Sequence, residues 1–139
     1  MKLLGNTLNP SVLVIGCFHG DEPQGELLIN AFLESKQTTN LLMIPRLNPW
    51  NTRVNKNGVD LNRNFPTQNW KLSKRDDYFV VETPASEKET QFIIKTVEKY
   101  NPEVILTLHA PYKVVNYDCS GKCNLGIIKK ISEIMNYPI

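Results

Sequence analysis

Histidine is scarce in this chain of 139 residues, which has only two. No apolar run approaches the roughly 20 residues that a membrane-spanning helix needs. The net charge is only +2, from 16 Lys and Arg against 14 Asp and Glu, so charge does not indicate nucleic acid or an anionic membrane as a partner. The first residues lack the apolar core of about 7–15 residues that marks a signal peptide. We therefore expect a cytoplasmic protein with neither nucleic acid nor membrane as a partner.

Cysteine is also rare and forms no disulfide pattern. Cys17, Cys119 and Cys123 are an odd number, and the C-x-x-x-C spacing of the last two has no second pair nearby. Free thiols are therefore favoured over a second metal site. With 41% hydrophobic and 22% charged residues, the chain has the composition of a globular protein, and its length predicts a single domain over residues 1–139.

Three short apolar runs rich in β-branched residues predict strands. They cover residues 12–18, 41–44 and 104–108, and we expect the first and the last to be buried. Helical patterns alternate with these strands along the chain. This alternation predicts an α/β fold with a mixed, partly parallel sheet and flanking helices.

Helix signals lie between and after the strands. Pro23 suits the first turn of a helix, and the apolar residues of 27–33 predict that this helix is largely buried. The S-x-x-E pattern at 86–89 matches a capping box that opens a helix ending at Tyr100, with Glu87 and Glu89 as capping and surface charges. Residues 125–135 form an amphipathic pattern.

Both histidines end an apolar run. His19 follows the first predicted strand, Glu22 stands three residues later, and His109 follows the last strand. Because ligands collect at the carboxyl ends of strands in open α/β sheets, these side chains are candidates for one site. Two imidazoles and one carboxylate make a ligand set of catalytic zinc that leaves a position open for water. Alternatively, His19 and Glu22 form a hydrogen-bonded pair near a helix start, and His109 caps a strand.

A long loop-rich stretch, 46–84, carries the most specific motif. It contains Arg53 and the string G-V-D-L-N-R-N-F at 58–65. Together with the H-G-D-E that begins at His19 and the later His109, in this order, the string resembles the zinc carboxypeptidase family over roughly 12–118. Within that family the chain looks most similar to short bacterial members related to murein peptide amidase.

The resemblance implies a role for each matching residue. His19, Glu22 and His109 would hold one Zn²⁺. Asp60 would fix the tautomer of His19, Arg53 would hold the oxyanion, and Asn62 and Arg63 would bind the substrate's free carboxylate. The alternative for the two arginines is that they are solvated loop charges. Tyr112 either lines the substrate pocket or belongs to the core, and Asp118 either meets a cationic group or forms a turn.

The resemblance also implies a substrate and exposes a missing residue. The substrate would be a peptide with a free carboxylate, namely a murein peptide cut between D-glutamate and a diamino acid. The family's general-base glutamate comes from a strand beyond the second histidine, whereas the only glutamate after His109 is Glu133, on the polar side of the last helix. We therefore expect an incomplete catalytic domain that lacks the C-terminal part of the fold and catalyses poorly.

Two other functions fit parts of the pattern. The aspartoacylase and succinylglutamate desuccinylase group resembles the chain in its H-x-x-E, its D-L-N-R-x-F and a later histidine. A non-catalytic zinc- or peptide-binding remnant would explain the missing glutamate. An incomplete sheet would also leave an open edge, so self-association is a further expectation.

Overall fold

The computed structural model describes residues 1–35, 39–72, 83–117 and 124–139. They form two compact units, Met1–His109 and Ala110–Ile139. Cys119, Cys123 and Asp118 lie outside the described residues, so the predictions made for them stay predictions.

The first unit contains a four-stranded mixed sheet. Its strands are β1 (Leu4–Gly5), β2 (Val12–Gly16), β3 (Leu41–Ile44) and β4 (Val104–Leu108), in the order β1-β3-β2-β4. β2 pairs in parallel with both β3 and β4, and β1 pairs antiparallel with β3. The mixed, partly parallel α/β fold is thus confirmed. The sequence did not predict β1, whose two residues are too few to produce a periodic pattern.

The core lies on both faces of the central strands. Alternate residues of β2 point to opposite faces, so Leu13 and Ile15 pack on one side and Val14 on the other. The first side is covered by α2 (Lys88–Tyr100) through Ile93, and the second by α1 (Gln24–Glu34) through Ile29. Each such buried aliphatic side chain contributes about 1.5–3 kcal/mol. This core fixes the carboxyl ends of β2 and β4, and the two histidines come shortly after these ends in the sequence.

Two expectations about burial were wrong. Helix α1 is not largely buried, since Leu27 and Leu28 are 66% and 55% exposed and only one stripe of the helix meets the sheet. Strand β4 is not buried either, because it occupies an end of the sheet order and Ile105 on it is 47% exposed. Apolar composition alone did not reveal which faces of this helix and this strand pack against another part of the protein.

The second unit contains α3 (Leu125–Met135), as the amphipathic pattern predicted. Asn124 caps it, and its side chain accepts a hydrogen bond from the backbone N–H of Ile127. In the parts of the chain that the structure describes, no helix has the length and apolarity required to traverse a bilayer.

The predicted capping box does not form. Helix α2 begins at Lys88, and Ser86 donates its hydroxyl to the Glu87 carboxylate instead of capping a backbone N–H. Glu87 is only 5% exposed and also accepts hydrogen bonds from the side-chain amides of Asn55 (2.5 Å) and Asn57 (2.7 Å). The interpretation of Glu87 as a capping and surface charge was therefore wrong, because its partners lie in a loop about 30 residues earlier.

This arrangement predicts a pH-dependent stability. Burial raises the pKa of Glu87, but the hydrogen bonds from Asn55, Asn57 and Ser86, with the charge of Lys56, outweigh it and leave the pKa below its ordinary value. The ionised carboxylate therefore stabilises the fold above the pKa of an unfolded Glu, about 4.3, and this contribution is lost as pH falls through the lower folded pKa.

We expect Glu87→Gln to lower the free energy of unfolding at neutral pH by about 1–3 kcal/mol, with the difference shrinking in acid. Urea unfolding of both proteins between neutral and acidic pH measures it. Glu98→Gln, an identical charge change at an exposed position of α2, is the control. A difference that is absent, or equal at every pH, would contradict the interpretation.

Candidate metal centre

A tight turn delivers His19 and Glu22. Strand β2 ends at Gly16, and Cys17 then adopts a φ of 51°, a left-handed conformation that is uncommon for a residue with a side chain. The chain reverses so that the backbone N–H of Glu22 donates to the carbonyl of His19 at 3.2 Å. Helix α1 begins two residues after Glu22, so its positive end lies close to this carboxylate in sequence.

The turn packs against the loop that follows β3. The backbone N–H of Gly20 donates to the carbonyl of Thr52 at 2.9 Å. A Cβ added to Gly20 would lie 1.5 Å from the carbonyl oxygen of Trp50, so a side chain cannot be accommodated there. Arg46 donates to the carbonyl of Gly20 at 3.2 Å while paired with Glu26 of α1 at 2.7 Å. The position of His19 is thereby fixed from several elements.

The Glu22 carboxylate lies between the two imidazoles. Nδ1 of His19 lies 2.9 Å from its Oε1, and Nδ1 of His109 lies 3.0 Å from its Oε2, both within hydrogen-bond distance. The ring centroids of the histidines are 5.0 Å apart. The structure thus brings together three side chains that the sequence separates by up to 90 positions.

Asp60 supports His19 from the other side of its ring. Nε2 of His19 donates to Oδ1 of Asp60 at 3.1 Å, and the same oxygen accepts the backbone N–H of Asn62 at 2.9 Å. Arg53 lies next to both carboxylates, with guanidinium nitrogens 3.4 Å from Asp60 Oδ2 and 3.8 Å from Glu22 Oε1. Asp60 therefore connects His19, Arg53 and the turn formed by residues 61–63.

These contacts shift the pKa of three groups. Burial lowers the pKa of His19, but hydrogen bonds and charge from Asp60 and Glu22 outweigh it and leave it raised. Burial raises the pKa of Asp60, and its bonds to His19 and Asn62 with the charges of His19 and Arg53 turn the net shift downward. The pKa of His109 is lowered, mainly by burial, although Glu22 opposes this. The two imidazoles thus differ: the buried one favours a proton and the other the neutral form.

The donor set fits zinc. One ligand atom each from His19, Glu22 and His109 lies within 4.8 Å of the others. Ligand atoms around one tetrahedral zinc are about 3.4 Å apart, so small side-chain rotations would place all three on a single ion. Asp60 occupies Nε2 of His19, which favours the tautomer with Nδ1 available to a metal.

Sequence reasoning missed the residue that holds Arg53. The side chain of Asn48, fully buried, donates to the carbonyls of Thr52 and Val54 at 3.1 Å, and its own carbonyl accepts the N–H of Trp50 at 3.1 Å. Asn48 also donates its backbone N–H to the carbonyl of Cys17. The signal available was Asn48-Pro49 at the start of an Asn-rich loop, because Asn side chains commonly bond to nearby backbone groups there.

Asn62 and Arg63 form a 3₁₀ turn with Leu61 and are exposed. Asp60 caps this turn, and the indole N–H of Trp70 donates to the carbonyl of Arg63 at 3.0 Å, so Trp70 anchors the loop. Tyr112 belongs to the second unit and is 81% exposed, so a place for it in the core is wrong and its contact with substrate stays a prediction.

The sequence profile described as zinc carboxypeptidase matches residues 3–133. The chain belongs to this family. Murein peptide amidase A of Vibrio campbellii is 30% identical over 149 aligned positions, covering 94% of this chain and 58% of that protein. The enzyme of the same name from Escherichia coli K12 is 29% identical, covering 73% and 49%. The chain thus spans about half the length of these members of the family.

Several solved structures are similar to this chain in fold. The crystal structure of murein-tripeptide amidase from Escherichia coli O157 has a TM-score of 0.76 at 25% identity and covers 93% of this chain and 63% of its own. Bovine thrombin-activatable fibrinolysis inhibitor has a TM-score of 0.63 at 15% identity, covering 96% and 56%. An aspartoacylase family protein of Mesorhizobium loti, at 0.58 and 22%, shows a likeness of fold alone.

Proposed function

We propose that this chain binds one zinc ion and a peptide with a free carboxylate, as the metal- and substrate-holding part of an amide hydrolase. The observation that carries the proposal is Glu22 bonded to both imidazoles, with Asp60 behind His19. The peptide we favour is a murein peptide with a γ-D-glutamyl-diamino acid bond, because named relatives are murein peptide amidases. The reaction would take place in the cytoplasm, within a single catalytic domain.

The metal ligands in this proposal are His19, Glu22 and His109. Zinc, when bound there, supplies Lewis-acid polarisation of the scissile carbonyl and lowers the pKa of a water toward about 7. Asp60 keeps the His19 ring oriented by holding its Nε2 proton. Arg53, about one-third exposed and next to Glu22, donates to the oxyanion that develops on the substrate.

The substrate's carboxylate would be held by Asn62 and Arg63. Both are exposed, and the planar guanidinium of arginine binds two carboxylate oxygens at once. Since Asp60 accepts the backbone N–H of Asn62, the turn that carries both residues begins at the residue that orients His19. In this proposal Asp60 therefore supports both peptide recognition and metal binding.

Binding of L-alanyl-γ-D-glutamyl-diaminopimelate to the zinc-loaded chain tests the proposal by calorimetry. We expect zinc-dependent binding that Arg63→Ala weakens by about 10–100-fold, since hydrogen bonds to charged groups contribute about 1.5–3 kcal/mol. Lys71→Ala, which removes an exposed cation from the same loop stretch, should bind as the wild type does. Zinc-independent binding, or an unchanged Arg63→Ala affinity, would contradict the proposal; preference for N-acetyl-aspartate would indicate the deacylase alternative.

A second candidate is zinc-dependent peptide binding without cleavage. It is favoured by one sequence observation, that Glu133 is the only glutamate after His109. Glu133 lies on α3 of the second unit and is exposed. Binding of the peptide with no product after prolonged incubation would support this candidate.

Replacing Asp60 is expected to weaken zinc binding. Asp60→Asn removes the charged acceptor that holds Nε2 of His19, and loss of such a partner typically costs about 10–100-fold in metal affinity. Competition with a chromogenic chelator measures it. Asp21→Asn, an exposed carboxylate in the turn between His19 and Glu22, is the control. Equal affinities for the Asp60 variant and the wild type would show that this contact does not support the metal.

A further inference from the structure

We propose that Glu87 is a positioning residue that fixes segment 60–63, which carries Asp60, Asn62 and Arg63, from the start of α2. The role rests on the proposed function only for its effect on substrate, because the contacts that define it lie outside the metal ligands. Glu87 reaches the polypeptide on both sides of the segment, once through its carboxylate and once through its backbone.

The carboxylate holds the stretch before the segment. Oε2 of Glu87 accepts the side-chain amides of Asn55 at 2.5 Å and Asn57 at 2.7 Å. Asn55 cannot turn its amide around, because its Oδ1 already accepts the backbone N–H groups of Asn57 (3.0 Å) and Val59 (3.1 Å). Gly58, with a φ of 76°, completes this turn. Glu87 is therefore bound to a turn that ends directly before Asp60.

The backbone of Glu87 holds the stretch after the segment. Its N–H donates to Oδ1 of Asn64 at 3.2 Å, and Nδ2 of Asn64 donates to the Ser86 hydroxyl at 3.0 Å. The N–H of Ala85 donates to the carbonyl of Asn64 at 2.6 Å. Asn64 is 2% exposed, so these bonds are shielded from water.

An ionised carboxylate suits this position and an amide does not. The groups that face the two oxygens of Glu87 are the amides of Asn55 and Asn57 and the hydroxyl of Ser86, and all three donate. The hydroxyl of Ser86 also accepts from Asn64, so it is held in this orientation. Glutamine would place an NH₂ against these donors. The lowered pKa of Glu87 agrees with the same preference for the anion.

The test compares Glu87→Gln with Glu98→Gln, an exposed position on the same helix. Amide hydrogen exchange followed by NMR should show protection at Asn57, Val59 and Asn62 reduced by about tenfold or more in Glu87→Gln, whereas protection at Leu13 and Ile15 of β2 should fall by no more than the loss in unfolding free energy. Affinity for the L-alanyl-γ-D-glutamyl-diaminopimelate peptide should fall by about tenfold. Zinc affinity should fall by less than the about 10–100-fold expected of Asp60→Asn, because Glu87→Gln leaves the Asp60 carboxylate itself in place beside His19.

Two results would overturn the proposal. One is unchanged protection at Val59 and Asn62 in Glu87→Gln. The other is a loss of protection in β2 that exceeds the loss in the loop, together with lower zinc and peptide affinities, which would show only a general loss of stability. If the wild type binds no peptide but protection falls in the loop alone, the proposed function fails and the positioning role of Glu87 stands.

Discussion

His109→Ala is expected to weaken zinc binding by more than about 100-fold, beyond the 10–100-fold that loss of an outer partner costs. His109 is one of only two imidazoles in the chain, and its Nδ1 lies 3.0 Å from Glu22 Oε2. Removing it leaves only His19 and Glu22 of the proposed ligand set, with no further histidine to replace it. Metal content after dialysis and competition with a chelator both measure the loss.

The folded state should survive the His109 substitution. The His109 side chain is 31% exposed, and His109 follows β4, the strand at one end of the sheet order. Its removal should therefore leave the core around Leu13 and Ile15 intact. Circular dichroism checks this, and Thr107→Ala, at an exposed position of β4, is the matched control. Equal zinc content in His109→Ala and the wild type would exclude His109 as a ligand.

The second large effect concerns turnover. The zinc-loaded 139-residue chain is expected to hydrolyse the γ-D-glutamyl-diaminopimelate bond at least about 100-fold more slowly than murein peptide amidase A of Escherichia coli, since a general base typically contributes 10²–10⁴-fold. In the proposed function, the chain's own residues hold the metal, the oxyanion and the carboxylate. No glutamate after His109 other than Glu133 is present to move the proton.

Product formation measured by liquid chromatography, with equal zinc loading of both enzymes, decides this. Glu133→Gln should leave the low rate unchanged, because Glu133 lies on the exposed side of α3. A rate comparable to that of the amidase and abolished by a chelator would contradict the expectation, and its loss in Glu133→Gln would identify Glu133 as the base.

The sequence predicted the elements with strong local patterns. The bounds of β3, β4 and α3 agree with the apolar runs, because short β-branched segments and a helical stripe are local signals. The gathering of His19, Glu22 and His109 was also predictable, since parallel strands end at one edge of a sheet. Their role as zinc ligands stays a prediction.

Features set by distant partners were not predictable. Helix α1 and strand β4 have apolar residues on faces that the described part of the chain does not cover, and composition cannot tell a covered face from an uncovered one. The S-x-x-E pattern suggested a local cap, whereas Glu87 bonds to Asn55 and Asn57 across about 30 residues. Asn48 bonds to carbonyls that are nearby in sequence. It was missed because its burial depends on the packing of the whole loop.

Anomalous diffraction at the zinc absorption edge from crystals of the zinc-loaded chain tests the central claim most directly. We predict one strong peak bonded to Nδ1 of His19, Nδ1 of His109 and the Glu22 carboxylate, at about 2.0–2.2 Å from each. No bound zinc, or a single peak on Cys119 and Cys123 or another group with His19 and His109 unligated, would contradict it.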